Sequence, residues 1–299
     1  WLTTSTALNN QFTKTESENM TFRLTAEPIN SFRIVLTANK TTSSNTTEFY
    51  RFDPDFGENG DFTSQNRFST SNYTISYYTM RTAFESTDGP NYDSEAYSQF
   101  LENRLIVSKQ LADAYALDPE FGNNYSAELQ GNPDSSDYGY RYFSQSSQDV
   151  VIPAFLAAYS GTDINKFGTN IYRDLPIPNW QITYDGLSKI AWVKKFLNSL
   201  VLTHSYRSTY TINNQTTNLL RDQQLDEYPD RAPLNNNGDL LSQNQIGAIV
   251  LSEQFAPFVG INLKLKNSTT LRLDYKKSRN LTLSLTNNQI TETKSSGWV

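Results

Sequence analysis

The sequence predicts an all-β protein, an antiparallel transmembrane β-barrel wall interrupted by a partly helical insertion. Three observations predict it. Apolar and polar side chains alternate strictly in many separate segments, as in strands with one apolar and one polar face. The 299 residues are only 37% hydrophobic yet 13% aromatic, whereas disordered chains of similar polarity lack aromatic and β-branched residues. The polarity comes mainly from Asn, Ser and Thr, with just 19% charged residues, a composition suited to strands and turns rather than helical bundles.

Taken in order, Phe22, Leu24 and Ala26 oppose Thr21, Arg23 and Thr25. After the turn Pro28 to Ser31 the pattern returns in Phe32, Ile34, Leu36 and Ala38, and again in Tyr73, Ile75 and Tyr77. Helical spacing is confined to a long insertion. Tyr97, Leu101, Leu105, Ser108, Leu111 and Tyr115 predict a helix over Ser94 to Leu117, started at Asp93/Ser94 and stopped at Asp118-Pro119. Val150 to Tyr159 predicts a shorter helix with Pro153 in its first turn. Asn132 to Asp149 and Leu234 to Asp239 have loop composition.

In "PNWQITYDGL", Trp180, Ile182 and Tyr184 alternate with Gln181 and Thr183 until Asp185-Gly186. A longer run sets Leu200, Leu202, His204, Tyr206, Tyr210 and Ile212 against Thr203, Ser205, Arg207, Thr209 and Thr211. Val259, Ile261, Leu263 and Leu265 follow, then the turn Asn267-Ser268 and Leu271, Leu273 and Tyr275. One parity holds from Leu271 to Leu285, predicting a single long strand. The expected organisation is wall strands over 1–84, a helical cap, plug or periplasmic element over 85–179, and wall strands over 180–299. About nine strands, the last starting at Trp298, place both tight turns on one side, the periplasmic side of an outer-membrane barrel. On that count 84–178 and 213–245 emerge there too.

Alternation alone fits a sandwich, whose apolar face meets a second sheet, or a membrane barrel, whose apolar face meets lipid. The run Leu200 to Ile212 is close to the 9–11 residues that a tilted strand needs to cross a bilayer, its other face is nearly all Ser, Thr and Arg, and aromatics sit near strand ends. The barrel reading therefore makes Trp180, Ile182, Tyr184, Leu200, Leu202, Tyr206, Tyr210, Val259, Ile261, Leu263, Leu265, Leu271 and Leu273 lipid-facing. Gln181, Thr183, Thr203, Ser205, Arg207, Thr209, Asn262, Lys264, Arg272 and Asp274 then face the lumen.

A net charge of −6, a pI near 5.0 and the lack of a Lys/Arg run argue against a nucleic-acid partner. Without cysteine there is no thiol nucleophile and no thiolate metal site. No stretch approaches a membrane-spanning helix. Trp1 opens in polar sequence, so the signal of an exported protein is expected upstream. His204, the single histidine, shares the apolar parity of Leu202 and Tyr206, which suits packing better than catalysis. Asp53, Asp55, Glu58 and Asp61 gather carboxylates of the kind Ca²⁺ prefers, but Glu58 stands where an EF-hand needs Gly, so a solvated acidic loop is the stronger reading. Carboxylate pairs drawn from Glu95, Glu102, Asp226, Glu227 and Asp230 have no spacing that specifies a hydrolase. The expectation is a protein that is not an enzyme and holds no cofactor.

At "IPNWQITYDGLSKI" and "LVLTHSYRSTYTI" the sequence resembles the SprA/Sov family, the giant outer-membrane translocon of Bacteroidetes type IX secretion. "SQDVVIPAFLAAYSG", "EQFAPFVGINLKLKN", "KKSRNLTLSLTNNQITET" and, upstream, "YYTMRTAFE" carry the same resemblance. It implies a slice of a very large outer-membrane barrel that exports folded cargo bearing type IX signals, and that gliding species also need for gliding motility. It further implies outer-membrane lipid as a partner, and a lateral opening closed by a small partner barrel or a periplasmic plug protein. The rival expectation is a soluble surface β-sandwich that binds glycan through Trp180, Tyr184 and Tyr210.

Overall fold

The computed structural model describes residues 3–5, 10–56, 59–85, 94–118, 125–229 and 231–299. Strands β1 (Phe12–Ile29), β2 (Phe32–Asp53) and β3 (Asp61–Ser76) precede helix α1 (Glu95–Ala116). Three short strands, β4 (Leu129–Gln130), β5 (Gly139–Tyr140) and β6 (Phe143–Ser144), lead to helices α2 (Gln148–Ser160) and α3 (Ile164–Phe167). Then come β7 (Asn179–Tyr184), α4 (Val193–Phe196), β8 (Leu197–Thr217), α5 (Leu219–Glu227), β9 (Asn244–Leu265), β10 (Thr270–Ser284) and β11 (Gln289–Trp298). Eight strands form one antiparallel sheet ordered β1-β2-β3-β8-β9-β10-β11, with β7 pairing with β2 and β8. The chain is thus dominated by antiparallel β-structure, with most of its helix in the insertion.

β3 and β7 share one lane. β3 covers the later part of β2, from Lys40↔Ile75 to Asp53↔Asp61. β7 covers its beginning, from Phe32↔Tyr184 to Thr37↔Asn179. On the other side of the lane β8 meets Ser76 at Thr209 and Trp180 at Tyr206. The insertion is therefore residues 77–178, leaving from mid-lane rather than from a strand end. Backbone groups at such a break need partners, and side chains supply them. Ser76 Oγ accepts from the Asn39 amide at 3.0 Å and from Asn179 Nδ2 at 3.1 Å. Asn179 Oδ1 accepts the Ser208 amide at 2.7 Å, and the Ile177 amide reaches Ser76 O at 3.0 Å.

Three sequence expectations need correction. The turns at 30–31 and 267–268 do share one end of the sheet, but β8 runs away from that end, so 218–243 emerges at the opposite one. The insertion arises at neither end. Trp298 closes a strand instead of opening one, because 285–288 turns the chain back to pair β11 with β10 from Ser284↔Gln289 to Tyr275↔Trp298. The long strand from Leu271 is found as β10, unbroken.

In the insertion, Ser94 Oγ caps α1 by accepting from the Tyr97 amide at 3.2 Å. α2 begins at Gln148, which puts Pro153 in its second turn, not its first. Val150 to Ser160 are all buried. A helix apolar on every side needs cover on every side. The sheet provides one cover through Tyr73, Ile75, Tyr210, Ile212, Ile249, Leu251, Leu281 and Leu283, and α1 another through Phe100 and Val107. β1 is exposed along its full length, and among the described residues it pairs only with β2 and β11 only with β10, which leaves two unpaired edges.

Candidate functional site

The register assembles the predicted apolar residues on one face. Leu36, Trp180 and Tyr206 lie in line, as do Ile34, Ile182 and His204, and Phe32, Tyr184, Leu202, Ile261 and Leu273. Leu200, Leu263 and Leu271 form the next row, with Leu265 beyond and Val259 beside Tyr275. β1 extends the face with Leu24 opposite Leu36 and Phe22 opposite Ala38. At its other margin Trp298 stands opposite Tyr275.

This face has two parts. Its far half is sealed by the insertion, and its near half, toward the tight turns, is uncovered. There Leu24, Val259, Leu271 and Leu273 are exposed, Leu271 at 54%, as is Phe22 one row farther along the edge strand, and Ile182, Tyr184, Leu200, Leu202, Ile261, Leu263 and Leu265 are half-buried. No second sheet packs on this band among the described residues. Tyr206 and Tyr210 belong to the sealed part. Both are buried, Tyr210 with Ile212 beneath α2's cluster and Tyr206 against Trp180 at a stacked 4.5 Å, so the expectation that these two face lipid is corrected to protein packing.

The opposite face is largely polar and, among the described residues, has no second sheet on it. Gln181 pairs with Ser205, Thr183 with Thr203, Arg207 with Gln254 and Thr209 with Ser252. Asn262 pairs with Arg272, Lys264 with Thr270, and Asp274 with Gly260. All ten predicted lumen residues thus share a side. Asp274 is nevertheless buried, covered by Arg272, whose Nη2 lies 2.8 Å from its Oδ2. The Cα of Gly260 passes so near that a Cβ there would sit 2.7 Å from Asp274 Oδ1, 2.7 Å from Pro257 Cγ, and against Thr203 Oγ1.

A bulge in β9, invisible to alternation, marks the border between the two halves. Residues 255–259 oppose only His204 to Tyr206, two more than β8 supplies, so parity is preserved on either side. The bulge brings Phe258 O to His204 Nδ1 at 2.6 Å, which assigns the ring a donor role and a packed position. Around it gather Phe84, Phe255 and Phe258 at ring separations of 5.3–5.6 Å, with Lys277 4.2 Å over Phe84. Aromatics therefore rim the uncovered band.

Beneath this collar lies a buried ionic pair that the sequence did not suggest. Arg279 Nε and Glu253 Oε2 are 3.2 Å apart and both side chains are 3% exposed. The contact is an ion pair without an aligned hydrogen bond, and other groups satisfy the rest. Glu253 Oε1 accepts from Tyr206 and Thr79 hydroxyls at 2.8 and 2.9 Å. Arg279 Nη1 donates to Thr82 O at 2.7 Å and Nη2 to Thr82 Oγ1 at 2.8 Å. The guanidinium thus fastens the root of the insertion to β10.

The remaining candidates are not brought together. Asp53 and Asp61 face each other at the β2–β3 turn, but Asp53 accepts the Asp55 amide and Asp61 the Phe62 amide, and Glu58 lies outside the described residues. Among the described residues no three His, Cys, Asp or Glu side chains are placed to hold a metal. Glu95 and Glu102 stand exposed on α1, while Asp226 and Glu227 are on α5, and Asp230 is outside the described residues. No family model matches the chain, and no curated protein matches it.

Proposed function

We propose that this chain is a wall segment of an outer-membrane protein-conducting channel of the SprA/Sov kind, exporting folded cargo in type IX secretion and working by geometry, without catalysis or cofactor. One observation carries the reading: a continuous apolar band, open among the described residues, runs across the lanes from β1 to β10, with Trp298 of β11 at its margin, on a sheet whose other face is largely polar. Soluble proteins rarely leave so large a contiguous apolar surface uncovered. Along β8 the open band spans Leu197 to His204. At about 3.3 Å per residue and a tilt near 40° this is about 20 Å tall, a little short of a barrel's apolar belt, which is about 25 Å.

In this reading the Ser, Thr, Asn and Arg face gives cargo a hydrated lining without apolar patches. Because the insertion covers the apolar face, it lies outside the lumen, beyond the belt and away from the tight turns. That favours an external brace over a plug or a periplasmic element. The free edges of β1 and β11 suit continuation of the wall by further strands, since exposed edges otherwise recruit unwanted partners. Cargo, a small partner barrel and a periplasmic plug protein are the partners such a channel would use. The glycan-binding alternative draws less support, because Tyr210 is fully buried and Trp180 is stacked against Tyr206.

The absence of native cysteine gives a direct test. In outer membranes, Leu273→Cys should resist a water-soluble maleimide while Asn262→Cys, on the polar face, is labelled. Equal labelling of both would remove the membrane reading.

A further inference from the structure

We propose that the connection between β7 and β8, residues 185–196, is a foot that binds anionic glycerophospholipid headgroups at the tight-turn end of the sheet; this rests on the wall reading above. The segment exposes Trp192 at 67%, Phe196 at 65% and Ile190 at 40%, with Val193 turned inward at 3% and Leu187 half-buried. These apolar groups are fixed in place. The Asp185 amide donates to Ser31 O at 3.0 Å, and Ser188 Oγ both donates to Leu200 O at 2.9 Å and accepts from the Leu200 amide at 2.7 Å. The Lys266 amide donates to Phe196 O at 3.2 Å, tying the segment to the next turn.

Charge supplies the identity of the occupant. In a chain of net charge −6, this segment carries Lys189, Lys194 and Lys195 against a single acid, Asp185, and Lys266 joins them from the β9–β10 turn. All four lysines are exposed, and among the described residues none has an ion pair or a side-chain hydrogen bond. Exposed apolar rings beside exposed lysines, a side chain whose stem can lie on apolar surface while its charged head stays in water, match the layer where acyl chains give way to phosphates. The place fits as well. The segment begins one residue after Tyr184 and ends one before Leu197, at the margin of the uncovered band. The other end of the sheet is instead acidic, with Asp53, Asp55 and Asp61 in its β2–β3 turn.

The test uses the full chain in bilayer discs containing phosphatidylcholine and phosphatidylglycerol. A fluorophore on Ala191→Cys should be quenched by spin labels at headgroup depth, and one on Leu273→Cys by labels deep in the acyl region. Native mass spectrometry should find phosphatidylglycerol retained by the parent chain and retained about a hundredfold less by Lys189→Gln/Lys194→Gln/Lys195→Gln, each lysine near an anionic surface being worth about fivefold. Quenching at Leu273→Cys without quenching at Ala191→Cys overturns the foot and leaves the wall standing. Loss of quenching at both removes the wall and the foot together. Unchanged retention in the triple variant, or preferential retention of lipid A, overturns the phospholipid assignment.

Discussion

Ser76 and Asn179, 103 positions apart in sequence, are hydrogen-bonded neighbours at 3.1 Å where the chain leaves one lane of the sheet and returns to it. Asn179 spans the gap by donating to Ser76 Oγ and accepting the Ser208 amide at 2.7 Å. Two half-strands are thereby made to behave as one.

Asn179→Ala leaves the Ser208 amide buried without an acceptor. It is expected to cost about 1–3 kcal/mol and to speed hydrogen exchange at Ser208 more than in the centre of β9. Urea unfolding and amide exchange measure the two effects, and unchanged exchange at Ser208 would show that the side chain does not hold the junction.

Arg279→Met strands the Glu253 carboxylate beneath the insertion. Breaking a buried pair by removing one partner costs about 3–5 kcal/mol, and here the loss should appear first as protease sensitivity of 77–178. Adding Glu253→Gln to the same chain removes the orphaned charge and should recover much of the loss. A double variant as unstable as the single one would assign the cost to packing and not to charge.

Gly260→Ala places a methyl group against Thr203, Asp274 and the rigid Pro257 ring. Overpacking of this kind costs about 1–3 kcal/mol. Thr203→Ser keeps the hydroxyl and should not rescue the variant, whereas Pro257→Ala should rescue it in part. Thermal unfolding of the three combinations reports the ordering.

Asp149, at the start of α2, accepts the Ser242 hydroxyl at 2.8 Å, and desolvation by burial raises its pKa above the ordinary aspartate value. The folded state therefore holds this proton more tightly than the unfolded chain does. Between the unfolded and folded pKa values stability falls as pH rises, and the carboxyl contributes most when protonated. Asp149→Asn keeps an acceptor and removes the titration. The variant's stability advantage at neutral pH should shrink as pH falls toward about 4, the unfolded aspartate value. Urea midpoints across that range are the measurement; a constant difference would exclude Asp149 as its source.

Alternation revealed β7, β8 and β10 because each sets an apolar face against a polar one, as Leu200, Leu202 and His204 do against Val201, Thr203 and Ser205 at all but one position. It failed where both faces are polar. The stretch Thr41 to Thr47 of β2 and Ser69 to Asn72 of β3 offer hydroxyls and amides to either side, so no period of two appears although both are strand. β11 was missed for the same reason, its Thr291, Thr293 and Ser295 alternating with Glu292 and Lys294. The candidate band was legible as a set of residues but not as a surface. Its far part reads identically in sequence, and only the fold of 77–178 shows that Tyr206 and Tyr210 have lost their exposure to α2 and the aromatic collar. The Glu253–Arg279 pair gave no local signal, since two charges in register on neighbouring strands are joined by long-range pairing alone.

An element spliced into the middle of a lane, with its two ends rejoined by Ser76 and Asn179, leaves the number of lanes and their stagger untouched. Such a mounting lets the helical body be enlarged, trimmed or exchanged during evolution while the sheet keeps its width and slant, so diversity can accumulate on one flank without reshaping the other.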